Sequence, residues 1–474
     1  MSATTADAAA SSLFAPNALL PQGWADNVRL RWNVQGTLTD VQTAVVPSHG
    51  EPQAPGPLLP GLPNLHSHAF QRAFAGLTEL RSAGESTVTG DNFWSWRERM
   101  YRVALAVSPE QLEHIATQLY IEMLLAGFTS VCEFHYLHQD VSGQPYADPA
   151  EMSLRLVAAA RRAGIGLTLL PVLYQHGGFG AAPTSPQQRR FVQSVDGVLR
   201  LVERVRAERV AVGVAPHSLR AVGPDALTEL LQGLRAMDPL APVHIHVAEQ
   251  QQEVTDCLAW SGARPVQWLL DHAEVDARWC LVHATHLDAD EVRRLAAAGA
   301  TVGLCPTTEA NLGDGLFNLP AFMAHGGRWG VGSDSHASID AFEELRLLEY
   351  GQRLRHQRRN VLADAAHPQV ADAMWLAASD GGERARGGER GSHGAAGLSV
   401  GGRADFVVLA TEGVHAGLTP AERLATAVFA PRTRATVREV WVAGHRVVHA
   451  GIHPQAEQAC ENFVTVRRQL LAST

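Results

Sequence analysis

The 474-residue chain has no lysine: all 39 residues counted as lysine or arginine are arginine. That absence excludes a Schiff-base lysine, a lysine general base and a carbamylated lysine bridging two metal ions. Cysteine is scarce as well. The five, Cys132, Cys257, Cys280, Cys305 and Cys460, are odd in number, scattered and without a CxxC pair. They exclude a disulfide framework and read as reduced thiols, pointing to a cytoplasmic protein. Residues 1–12 lack a basic region leading into an apolar stretch, so no secretory signal is expected. No apolar window is long enough to span a bilayer. Positive charge is also in deficit, with a formal net charge of -9. A nucleic acid or an anionic membrane would need a basic surface, so a small molecule is the expected partner.

What is present is a large globular composition, 46% hydrophobic and 18% charged, which suits a barrel with an accessory domain. Eight short apolar runs alternate with helical segments: 58–65, 129–134, 167–173, 210–215, 243–247, 280–284, 301–305 and 329–332. Helices are expected over 110–127, 149–164 and 288–299, each ending in a glycine suited to a left-handed cap. The alternation predicts an α/β fold, a (β/α)8 TIM-type barrel over 58–397, with chemistry at the C-terminal strand ends. An open doubly wound sheet would not explain polar residues crowning so many strands. Strand-like pieces at 28–32 and 41–46 match others at 404–409 and 437–448. The two chain ends, 1–57 and 398–455, are therefore expected to form one small β-sandwich domain, followed by a C-terminal helix over 456–474. The Gly- and Arg-rich stretch 379–402 reads as a flexible connection, and 81–92 as an enlarged loop.

The first run stops at His66-Ser67-His68. On a strand these two imidazoles share a face and can grip one ion, although a lone H-x-H is more often a solvated turn with two incidental histidines. Further ligands decide the matter. Val243-His244-Ile245-His246-Val247-Ala248-Glu249 offers a third imidazole with a carboxylate just beyond, and Gly332-Ser333-Asp334 ends the last run. Three histidines and one aspartate suit a catalytic Zn2+ that keeps a position for water.

The H-S-H after strand one, H-x-x-E after strand five, V-H-A-T-H-L after strand six and G-S-D-S after strand eight resemble the amidohydrolase superfamily, in its mononuclear deaminase branch. The likeness extends over nearly the whole chain. Within that branch, the segments 65–72, 93–97 and 215–220 are similar to those of enzymes that deiminate N-formimino-L-glutamate. The resemblance implies that His66, His68, His246 and Asp334 hold one zinc ion per subunit, and that Glu249, His283 and Asp334 are catalytic. It also implies a homodimer. One metal agrees with Pro216-His217 standing where two-metal members carry the bridging lysine.

A dicarboxylate substrate needs planar bidentate donors away from the metal, which arginine supplies. Arg97 and Arg220 are the candidates, with Gln71, Tyr136 and His217 as hydrogen-bonding partners. Two rivals remain. Another deaminase of the branch, acting on guanine, adenosine derivatives or a triazine, would prefer aromatic and amide groups where the arginines stand. A catalytically silent barrel serving assembly or binding would have lost metal ligands, and none is missing. Cys305 is expected to be a small buried hydrophobe, and His138, His176, His272, His325 and His356 to be structural or solvated.

Overall fold

A computed structural model of the protein describes residues 11–79, 93–387, 397–430 and 436–473. The expected loop 81–92 lies outside them. The barrel strands are β1 (Leu62–Ser67), β2 (Phe128–His135), β3 (Gly166–Leu173), β4 (Ala211–Val212 and Ala215–Pro216), β5 (Val243–Val247), β6 (Trp279–His283), β7 (Thr301–Leu304) and β8 (Arg328–Val331). They pair in parallel as two arcs, β1 to β4 and β5 to β8. Parallel bridges Val214–Val243 and Ser67–Asp334 join the arcs into a ring. These strands are apolar along most of their length because both faces are covered, by the barrel interior and by the helices.

The chain ends meet in a seven-stranded sheet with its own core of Leu13, Val28, Leu30, Trp32 and Phe406. Ser11–Leu20, Gly23–Trp32 and Leu38–Gln42 come from one end, and Phe406–Leu409, Val437–Val442 and His445–Val448 from the other. Between them lies Leu58–Pro60, which pairs with Ser11–Leu20 and with Phe406–Leu409. The apolar run 58–65 thus divides between end sheet and barrel at Gly61, whose N–H donates to the Asp405 carbonyl. The expected strand 41–46 stops at Gln42, and Ala44 takes a left-handed φ of 55°.

A second expectation is overturned. Residues 379–385 are not a flexible connector but the end of the helix Val370–Ala385. Glycine there serves close packing: a Cβ at Gly381 would lie 1.9 Å from the Trp329 carbonyl oxygen of β8. Trp375 and Ser379 on this helix donate to the carbonyls of Pro60 and Gly61, fastening the junction between sheet and barrel. Residues 388–396 of the same stretch lie outside the described residues.

Candidate active site

The C-terminal rim of the barrel gathers residues from all eight strands or the segments just past them. His66 is on β1 and His68 just past it, His246 on β5, and Asp334 beyond β8. The Asp334 N–H donates to the His66 carbonyl at 2.9 Å, so β1 and the β8 loop are stitched together. Gly332 permits that approach, since a Cβ there would lie 2.6 Å from His66 N. The backbone is bent sharply at the rim: Ala248, His283, Ala284 and Asp334 have φ of 52°, 66°, 48° and 46°. Left-handed conformations cost a non-glycine residue about 1 kcal/mol or more.

The His66 Nε2 atom lies 3.1 Å from His68 Nε2 and 2.9 Å from His246 Nε2. Asp334 Oδ1 is 3.4 Å from both His66 Nε2 and His68 Nε2. The rings of His68 and His246 direct Nδ1 at the carbonyls of Phe134 and His217, 2.9 and 3.1 Å away, so each carries its proton there and presents a bare Nε2. At most one of the facing contacts can then be a hydrogen bond. Burial holds all three imidazoles neutral, with His66 pushed down to about 3. His66 Nδ1 has no partner among the described residues. Apposed lone pairs beside a carboxylate are repulsive unless a cation joins them, and three imidazoles plus a carboxylate are a zinc-type donor set.

Beside this group, His283 Nε2 lies 3.8 Å from Glu249 Oε1 and 3.7 Å from Asp334 Oδ2, while its Nδ1 is 3.2 Å from Glu309 Oε1. Burial alone would lower the His283 imidazole, but the carboxylates of Glu249, Glu309 and Asp334 outweigh it and lift the ring to about 10. Burial raises Glu249 above the usual carboxylate range, against the pull of His283 and Arg220. It also opposes ionisation of Asp334, yet contact with His66, with the charged His283 ring beside it, holds that group well below the usual range. Two carboxylates in one site are thus pushed apart.

All the substrate-binding candidates line the same pocket: Gln71, Arg97, Tyr136, His217 and Arg220. Gln71 donates to Tyr136 Oη at 2.9 Å and keeps a buried Oε1 without a partner among the described residues. Arg220 is 4.0 Å from Glu249, and Arg97 lies over the Tyr101 ring, 5.6 Å from its centre. His244 faces away from the group and contacts the Ala385 carbonyl. Cys305 is fully buried, with its thiol pushed well above the ordinary value by burial. His138 contacts the Val172 carbonyl inside the core. Sequence reasoning missed Glu309, which sat unassigned in the polar stretch after β7. It also missed Glu133, which accepts from Ser67, Tyr120 and the Ala69 N–H below the histidines. A carboxylate inside the apolar run 129–134 was its signal.

Residues 58–447 match the Amidohydrolase family. The chain belongs to that family. Residues 10–53 match a second description, the N-terminal domain of formimidoylglutamate deiminase HutF. The chain is 51% identical to a formimidoylglutamate deiminase of Pseudomonas aeruginosa, over 97% of this chain and 100% of that protein. A solved amidohydrolase from Brucella melitensis shares 48% identity, covering 97% of this chain and all of that one, with a TM-score of 0.90. An adenosine deaminase from Xanthomonas campestris with bound Zn, 20% identical over 97% of this chain and 98% of its own, shares the fold with a TM-score of 0.77.

Proposed function

We propose that the chain hydrolyses N-formimino-L-glutamate to N-formyl-L-glutamate and ammonia. The observation that carries this reading is the 51% identity to a formimidoylglutamate deiminase along essentially the whole of both chains. The pocket supports it chemically, because histidines and carboxylates occupy one part and the guanidinium groups of Arg97 and Arg220 line the same cavity.

His66, His68, His246 and Asp334 would hold one zinc ion, which supplies, when bound, a water acidic enough to lose a proton near neutral pH. The other tasks fall to side chains. Asp334, kept ionised by its histidine neighbours, accepts a proton from the attacking water. Glu249, raised by burial, delivers a proton to the imino nitrogen and assists the departure of ammonia. His283, held from behind by Glu309, keeps the attacking water in place. The partnerless Oε1 of Gln71 accepts from the formimino N–H groups. Arg97 and Arg220 take the carboxylates, with Tyr136 and His217 between them and the reacting carbon.

We extend the proposal to a cytoplasmic homodimer. Five free thiols favour the reducing compartment, and the homodimer is what the family resemblance implies. The deciding experiment measures ammonia release from N-formimino-L-glutamate, guanine and simple amidines, with metal content on the same sample. Release from the first alone is expected, with about one zinc per chain; preferential release from guanine would overturn the substrate assignment.

A further inference from the structure

The pocket wall beside Arg97 and Arg220 holds an arrangement that neither the arginines nor the metal group explains. Tyr101, on α1 (Phe93–Ala106), and Tyr174, just past β3, line the pocket beside Arg97 and Arg220. The buried side chain of Gln188, at the end of the short helix Pro186–Gln188, sits behind both. Its Oε1 accepts the Ser185 N–H at 2.8 Å, which fixes the orientation of the amide. Its Nε2 must then donate, and it reaches Tyr174 Oη at 2.6 Å and Tyr101 Oη at 3.3 Å.

A phenol that accepts from an amide still has its own hydrogen to give. Neither hydroxyl has an acceptor among the described residues, although Tyr101 and Tyr174 are 4% and 7% exposed. Burial raises both phenols, so they stay protonated, while Arg97 and Arg220 act on both in the opposite sense, which places all four groups in one neighbourhood. Two O–H donors with no acceptor, next to two guanidiniums, await an anion.

We propose that Tyr101 and Tyr174 donate hydrogen bonds to a substrate carboxylate beside Arg97 and Arg220, and that Gln188 is the positioning residue that keeps both hydroxyl hydrogens turned into the pocket. The inference deepens the proposed function and rests on its dicarboxylate substrate. Donating amides turn the phenols outward toward substrate; an accepting group at the same place would turn them inward.

Steady-state kinetics on the zinc-loaded full chain tests this. The Tyr101→Phe/Tyr174→Phe double variant is expected to raise KM for N-formimino-L-glutamate about ten-fold or more, with kcat within about three-fold, because hydrogen bonds to a charged group are lost. Gln188→Glu, similar in shape but able only to accept when ionised, is expected to raise KM comparably with both tyrosines intact. In the double-variant background it should add little. A KM within about two-fold of wild type in the double variant overturns the donor assignment. A Gln188→Glu effect that adds in full to that of the double variant overturns its positioning role and shows packing alone. If the wild type releases no ammonia from this substrate, the proposed function falls and takes this inference with it; normal wild-type turnover with an unmoved KM in the variants removes the inference alone.

Discussion

Glu249 and Asp334 differ in what surrounds them rather than in kind. Asp334 stands among imidazoles, whereas Glu249 is buried with a guanidinium 4.0 Å away and His283 at 3.8 Å. One is thus suited to accept a proton and the other to donate. Glu249→Gln removes the donor without touching the four metal-binding candidates, so turnover should fall about 100-fold or more while metal content by elemental analysis stays at the wild-type level. Arg97→Met should instead raise KM about ten-fold or more with zinc retained, since a charged hydrogen-bonding group is lost from substrate binding alone; an unchanged KM would remove Arg97 from the site. The role of Glu309 is legible only at this scale. Its distance of 3.2 Å from His283 Nδ1 leaves Nε2 of that ring free for the pocket.

At the level of elements, the wall that carries Arg97 and Tyr101 is held by a fully buried cation. Arg190 donates to the Ala104 carbonyl at 2.5 Å and the Val107 carbonyl at 2.9 Å, at the C-terminus of α1, and to the Gln139 carbonyl at 2.9 Å. It thereby caps a helix end with positive charge and ties it to the loops after β2 and β3. Arg190→Met would strand two buried carbonyls and one half-buried one, so a loss of about 3 kcal/mol is expected in denaturant unfolding. The end sheet has a comparable fastening. Arg29 grips Glu51 at 2.7 and 2.9 Å, and this hydrogen bonding lowers the Glu51 carboxyl to about 2 against burial. Its folded value lies below its ordinary value of 4.5, so the stabilisation is complete above about pH 4.5 and is lost as the pH falls toward 2. Thermal melting across that window should therefore show a smaller decline for Glu51→Gln than for the wild type.

For the molecule as a whole, the proposed metal group would couple folding to binding. His66, His68, His246 and Asp334 come from β1, β5 and the β8 loop, on both arcs of the barrel, and their facing lone pairs repel in the absence of a cation. Chelation should abolish activity and lower the melting temperature, and zinc should restore both. An unchanged melting temperature after verified metal removal would contradict this coupling.

The sequence by itself determined the parallel alternation, and it offered the C-terminal rim and the histidine–aspartate set as the candidate place of chemistry. The alternation follows from local periodicity, the candidate set from residue types together with the family resemblance, and the absence of lysine excluded a carbamylated-lysine bridge between two metals. Tertiary structure decided what depends on contacts distant in the chain. It split the run 58–65 at Gly61, because Leu58–Pro60 pairs with strands from both chain ends. It made a helix of 379–385, where glycines that suggest flexibility instead admit the β8 backbone. It gave His244 a partner elsewhere, the Ala385 carbonyl at 2.8 Å. It also brought Tyr101, Tyr174 and Gln188 together from three separate segments, a meeting that no spacing along the chain encodes.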